Sequence, residues 1–192
     1  MSMMCGDAEL QDLIQAMRSD DRDELVRADR LIACYPEDGR LHFLRGSILA
    51  SIGRPIEAMA ALKRAVELAP DFAIARFQLG FFQLTSGEAA DALGTWGPLA
   101  LLPDGHYLRF FVGGLTHLIR DEFEDTIVRL TEGIAANQEN PALNRDMQLI
   151  IDQVAGLLRD KARGAHATAG DDEAASATSF LLDQLGAHER PN

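Results

Sequence analysis

Basic residues are scarce in this chain, and lysine is scarcer still. Lysine and arginine number 18 against 30 aspartates and glutamates, so the formal net charge is -12, and Lys63 and Lys161 are the only lysines. Surfaces that bind nucleic acids or anionic membranes need clustered basic side chains to neutralise phosphate groups. We therefore expect neither a nucleic acid nor a membrane as a partner. The acidic excess favours solubility or a basic protein partner instead.

Cysteine is also rare, and long apolar runs are missing. Cys5 and Cys34 form no CxxC or Cys/His pattern, which favours two free thiols in a reducing compartment over a disulfide, with Cys5 expected to be exposed. The first ten residues, MSMMCGDAEL, lack the basic and apolar regions of a signal peptide. No apolar run is long enough to span a bilayer. The cytoplasm is the expected location.

Catalytic and metal-binding motifs are absent as well. The sequence has no GxGxxG, P-loop, GxSxG or HExxH pattern. Its five histidines are scattered, without a carboxylate or cysteine at ligand spacing. His117, which falls in a predicted helix, is expected to be a packed or surface residue rather than a metal ligand. We therefore expect no enzyme activity, no cofactor and no metal.

What the chain does contain is an internal repeat of 34 residues. The stretch RGSILASIG at 45–53 corresponds to LGFFQLTSG at 79–87 and, more weakly, to GGLTHLIRD at 113–121. Three sets of residues keep this spacing: Gly46, Gly80 and Gly114; Phe43, Phe77 and Phe111; and Gly53, Gly87 and Asp121. A fixed period of this length is typical of repeat architectures.

Each repeat is predicted to fold as two helices. In the first unit, the apolar residues of LHFLRGSILASI recur at helical spacing. Gly53 is expected to end this helix, because glycine has no Cβ to oppose a left-handed turn. Pro55 suits the first turn of the next helix and Pro70 prevents its continuation. Small residues at Gly46 and Ala58 are expected to let the two helices approach closely.

These residues resemble the tetratricopeptide repeat (TPR) family. Its pattern L-x-x-G…G…A…A…P is present in two good copies, at 38–72 and 73–104. A third unit, from about 107 to 140, is degenerate, because Asp121, Thr126 and Gly133 stand where small or helix-stopping residues are usual. The resemblance implies an all-α, right-handed solenoid of three to four helix-turn-helix repeats.

A capping helix and a tail are predicted after the repeats. Asn140 and Pro141 are a natural N-cap and first residue for a helix. Its apolar stripe consists of Met147, Ile150, Ile151, Val154, Leu157 and Leu158. We expect residues 1–163 to form the repeat domain with its cap, residues 164–178 a flexible Ala/Gly/Asp-rich linker, and residues 179–192 an apolar C-terminal segment.

The TPR resemblance also implies a binding surface. In TPR proteins the first helix of each repeat lines a concave groove, and the matching partner-binding positions here are Phe43, Ser47, Phe77, Phe81, Leu84, Phe111, Leu115 and Leu118. Carboxylate-clamp TPR domains use lysine, arginine and asparagine at such places, so this resemblance implies an apolar groove for an amphipathic helix or an extended peptide. Packing between adjacent repeats remains the alternative role for these side chains.

The C-terminal segment is a candidate ligand of that groove. SFLLDQLG carries four large apolar side chains, Phe180, Leu181, Leu182 and Leu185. A helix this short needs a surface to be stable. The linker is long enough to return it to the groove of its own chain, or to a neighbour's groove in a homodimer formed by tail exchange. A terminus that docks elsewhere is the alternative.

The sequence as a whole predicts a non-catalytic protein-binding module whose partner is a protein or peptide with an apolar helix. Two alternatives stay open. Small acidic TPR proteins with apolar grooves resemble the chaperones that hold translocator proteins of type III secretion. A purely structural protein would use the same repeats only to bind copies of itself.

Overall fold

The protein is all-helical wherever its structure is described. A computed structural model describes residues 4–19 and 23–164, and this part of the chain contains nine α-helices and one 3-10 helix, without a strand. The all-α class is thereby confirmed. The predictions for the linker and for Phe180, Leu181, Leu182 and Leu185 lie outside the described residues.

The helices follow one another with short turns between them. In chain order they are α1 Asp7–Arg18, α2 Glu24–Cys34, α3 Gly39–Ser51, α4 Pro55–Leu68, α5 Ala73–Thr85, α6 Ala89–Trp96, the 3-10 helix Gly97–Leu101, α7 Tyr107–Ile119, α8 Phe123–Ala136 and α9 Pro141–Gly164. Over the described residues the chain divides into two compact units, 4–83 and 84–164. In the first unit α3 packs on α2 and α4, and in the second α8 packs on α7 and α9.

The helix boundaries keep the 34-residue spacing of the sequence. The first helices of three successive pairs begin at Gly39, Ala73 and Tyr107, and the second helices begin at Pro55, Ala89 and Phe123. The turns between them also agree, because Gly53, Gly87 and Asp121 all have positive φ angles, of 73°, 83° and 57°. Asp121 therefore adopts the left-handed conformation that glycine supplies in the two earlier turns, and aspartate is one of the few residues that tolerate it.

Small residues bring the paired helices together, as expected for Gly46. A Cβ atom at Gly46 would lie 2.9 Å from Cγ of Leu62. The side chain of Leu62 in α4 therefore packs directly on the backbone of α3. The same holds for α7 and α8, where a Cβ at Gly114 would lie 2.6 Å from Cδ2 of Leu130.

The helix predicted after the repeats begins at Pro141, as expected. The first four residues of the α9 stripe, Met147, Ile150, Ile151 and Val154, are all buried. Among the described residues, no helix is both long and apolar enough to cross a membrane.

The expectation that Cys5 is exposed is wrong, because this residue is only 3% exposed. Its backbone N–H donates a hydrogen bond to Oδ2 of Asp38 at 3.0 Å, and Nη2 of Arg40 donates to its carbonyl oxygen at 2.8 Å. Burial, together with the nearby carboxylate of Glu9, raises the pKa of the Cys5 thiol to about 11. Cys5 is therefore a packing residue with a protonated thiol, whereas Cys34 is exposed.

Candidate functional site

Most of the side chains that the TPR resemblance assigns to partner binding are buried. The fully buried ones, each 0% exposed, are Phe77, Leu84, Phe111, Leu115 and Leu118. Phe43, Ser47 and Phe81 are partly exposed. A fully buried side chain presents no surface to a partner in this conformation. Among the described residues, the large apolar side chains that are exposed lie at other positions, such as Ile56 and Leu101.

The aromatic members of this set contact other side chains of their own unit. In the first unit the ring of Phe43 meets that of Phe72 edge-on, with centroids 5.1 Å apart, and Phe77 stacks on Phe81 at 6.2 Å. In the second unit the ring of Phe111 lies against Gly133, where any Cβ atom would collide with it. Contacts of this kind favour packing as the role of these rings.

An open apolar groove lies between α6 and α7 in the second unit. It encloses about 280 Å³. Its walls are formed by Leu93, Trp96, Gly97, Leu99, Ala100, Arg109, Val112, Gly113 and Thr116. Five of these residues come from α6 and the 3-10 helix, and the other four follow one face of α7.

The groove has a local cause in the sequence. α6 starts in register with α4 and α8, but it has 8 residues where each of them has 14. Gly94 and Gly97 weaken the helix, and Pro98 lacks an N–H and its ring clashes with the preceding turn. The chain continues as the 3-10 helix Gly97–Leu101. The truncated helix covers less of α7, and the groove is the uncovered part.

Two residues of the groove walls are glycines and therefore present no side chain. A Cβ atom at Gly97 or Gly113 would meet no other atom within 4 Å. Trp96 lines the groove but is itself only 1% exposed, whereas Leu93 is 39% exposed at the same site. Leu101 at the end of the 3-10 helix is 90% exposed. The site therefore combines open space with large apolar side chains.

The polar groups of the groove are already satisfied. Nη1 of Arg109 donates to the carbonyl oxygen of Leu102 at 2.9 Å and also pairs with the carboxylate of Asp104. Oγ1 of Thr116 donates to the carbonyl oxygen of Val112 at 2.7 Å. The lining residues include no histidine, cysteine or carboxylate. Such a surface can bind apolar groups.

A second cavity, of about 230 Å³, lies between α1 and α2 in the first unit. Leu13 and Leu31 form its apolar part, and Glu9, Asp12, Arg27 and Arg30 surround them. Two carboxylates and two guanidinium groups line it, so their formal charges cancel and do not favour a ligand of either charge.

The expectation that no carboxylate lies at ligand spacing from a histidine is wrong for His117. Its Nδ1 atom lies 2.5 Å from Oε2 of Glu122. One ligand atom from each of His117, Glu122 and Asp125 lies within 4.8 Å of the others. The turn between α7 and α8 brings these three residues together.

Neither a protein-family model nor a curated protein matches this sequence. The groove and the residues around it are therefore the basis for a proposed function. A sequence signal for the groove was present in GTWGP at 94–98, where two glycines and a proline interrupt the second helix of a repeat.

Proposed function

We propose that the protein is a non-catalytic protein-interaction module that binds apolar side chains of a peptide segment in the groove between α6 and α7. The observation that carries this proposal is the bare backbone of Gly97 and Gly113 beside Trp96, which leaves open space against an apolar wall. At about 280 Å³ the groove falls just below the range of about 300–1,000 Å³ that suits small-molecule ligands. It fits a few side chains better than a cofactor.

We propose the chain's own C-terminal segment, 179–192, as the first occupant. SFLLDQLG supplies four large apolar side chains, Phe180, Leu181, Leu182 and Leu185. α9 ends at Gly164 in the same unit as the groove, and 14 residues, 165–178, separate it from the segment. A linker of this length has a root-mean-square reach of roughly 20 Å. A partner's apolar helix would displace the segment and take its place.

We further propose that the helix pairs form a right-handed, TPR-like solenoid. The common register of the helix starts and the left-handed conformation of Gly53, Gly87 and Asp121 support it. α9 begins 34 residues after α7, at the position where the first helix of a fourth repeat belongs. An experimental structure in which successive pairs stack with the opposite hand would overturn this arrangement.

Trp96 provides a direct test of the groove, because it is the only tryptophan of the chain. In the full-length protein, replacing Phe180 and Leu182 together by aspartate should release the segment and shift the Trp96 emission, because the apolar side chains leave the groove that Trp96 lines. Adding a peptide of sequence SFLLDQLG should reverse the shift in a saturable way.

Two leucine substitutions provide matched controls in this aspartate background. Gly113→Leu fills the groove and should abolish the response to the peptide. Gly94→Leu makes the same change at another open helical position of this unit that does not line the groove, and should retain the response. If the peptide still changes the emission of the Gly113→Leu variant, this groove is not the binding site. The same conclusion follows if the peptide has no effect on the aspartate variant that keeps Gly113.

A further inference from the structure

The turn between α7 and α8 fixes two polar side chains against each other. The N–H of Asp121 donates to the carbonyl oxygen of Leu118 at 3.0 Å, and the N–H of Glu122 donates to that of His117 at 3.0 Å. With Asp121 in the left-handed conformation, this is a Schellman motif. The motif places Glu122 back over the last turn of α7, where an apolar contact is usual. Here the contact joins an imidazole and a carboxylate.

Asp125 completes the cluster from the next helix. Glu122 is the N-cap residue of α8, and Asp125 is the third residue of that helix. Residues three apart on a helix share a face, so both carboxylates lie beside the imidazole of His117. Asp125 forms no ion pair with any other described residue. The side chains of His117 and Glu122 are 29% and 42% exposed, so the cluster is open to solvent ions.

We propose that His117, Glu122 and Asp125 bind a Zn²⁺ ion at this turn. Imidazole nitrogen and carboxylate oxygen are both common ligands of zinc, and three protein ligands leave a fourth position for water or for a group from another molecule. A tetrahedral ion with bonds of about 2.0–2.2 Å needs ligand atoms roughly 3.3–3.6 Å apart. The ligand atoms here lie within 4.8 Å of one another, so small side-chain rotations suffice. The single imidazole favours zinc over magnesium or calcium, which prefer oxygen ligands alone.

The earlier repeats show that the turn does not need these residues. The equivalent positions hold Leu49, Arg54 and Glu57 in the first repeat, and Gln83, Glu88 and Asp91 in the second. In the first repeat, Nε of Arg54 pairs with Oε1 of Glu57 at 2.7 Å, so an ion pair stands where the third repeat has two carboxylates. Only the third repeat combines an imidazole with two carboxylates. A bound ion would join the end of α7, which forms one groove wall, to the start of α8.

Calorimetric titration of the full-length protein with ZnCl₂ tests the site. The titration is done with Cys34→Ser protein, because the exposed thiol of Cys34 is an alternative zinc ligand. We expect one site per chain with micromolar affinity. His117→Ala and Asp125→Asn should each weaken it at least tenfold, while an excess of MgCl₂ should leave zinc binding unchanged.

The matched control is the double variant Glu88→Gln, Asp91→Asn. It removes the same two charges from the equivalent turn of the second repeat and should bind zinc as tightly as the parent. If this variant lost as much zinc affinity as His117→Ala, diffuse negative charge would account for the binding and the proposed site would be wrong. Unchanged binding in His117→Ala would place the ion elsewhere on the chain, and no binding by the parent at millimolar ZnCl₂ would exclude the site.

Thermal unfolding with and without ZnCl₂ separates binding from misfolding. Because the His117 side chain is partly exposed, His117→Ala should unfold close to the parent temperature when zinc is absent. Zinc should raise the unfolding temperature of the parent but not of this variant. An equal rise in both proteins would contradict a site at His117.

Discussion

Asp38 is a buried carboxylate held by donors from two segments of the chain. Its side chain is completely buried, and it accepts hydrogen bonds from the N–H of Cys5 and from the backbone and guanidinium of Arg40, at 2.7 to 3.0 Å. Burial alone raises the pKa of Asp38, but these donors outweigh burial and hold it below its usual value. The negative charge of Asp38 is therefore what secures the segment before α1 to the start of α3.

Replacing Asp38 by asparagine should destabilise the protein in a pH-dependent way. Asparagine keeps the size of the side chain but loses the charge that pairs with Arg40. Because the folded pKa lies below the unfolded value of 3.8, the charge stabilises the protein at neutral pH, and this advantage is lost as the pH falls through the folded pKa. We expect Asp38→Asn to lower the free energy of unfolding by about 1–3 kcal/mol at pH 7. The difference from wild type should narrow below about pH 4, as measured by urea unfolding.

Asp29 provides the control for this change. It pairs with Nε of Arg45 at 2.7 Å, but its side chain is 51% exposed. An exposed pair contributes little, so Asp29→Asn should cost less than about 1 kcal/mol. A loss in Asp38→Asn that stays constant between pH 7 and pH 3 would mean that packing, and not charge, accounts for it.

At the scale of the helices, the sequence was informative where the signal was local. Glycine at the turn predicted where α3 ends, and proline at the helix starts predicted where α4 and α9 begin. The pattern did not show that Phe111 would be buried, because its burial depends on Gly133 in the facing helix. It also gave no sign of the cluster at His117, because that cluster requires Asp121 to take a conformation usually left to glycine.

Two adjacent glycines of α7 should respond in opposite ways to the same substitution. A Cβ atom at Gly113 meets nothing within 4 Å, so Gly113→Ala should stabilise the protein by about 0.5–1 kcal/mol, because alanine is the better helix former. At Gly114 the added atom would lie 2.6 Å from Leu130 Cδ2 and 3.2 Å from its amide nitrogen. Overpacking of about 1–3 kcal/mol should then outweigh the helical gain. Chemical unfolding of both variants measures the two effects, and shifts of the same sign would show that the surroundings of α7 differ from those described.

At the scale of the whole molecule, the proposed occupancy of the groove depends on the length of the linker. α9 and the groove lie in the same unit, and a short linker would give the segment attached to it an effective concentration in the millimolar range. Binding within one chain should therefore prevail over exchange between chains at micromolar protein. We expect the full-length protein to be monomeric under these conditions.

Shortening the linker should prevent the C-terminal segment from binding the groove of its own chain and should lead two chains to exchange their segments. Deleting residues 166–175 leaves four of the 14 linker residues, which span at most about 14 Å, so we expect the segment to enter a neighbour's groove instead and a dimer exchanging C-terminal segments to form. Light scattering over a range of concentrations should then show a mass that doubles, and adding Phe180→Asp and Leu182→Asp to the deletion should restore the monomer. If the shortened chain stays monomeric while its Trp96 emission matches that of the full-length protein, the segment does not occupy the groove. The groove would then be free in the full-length chain, and its ligand would have to come from another protein.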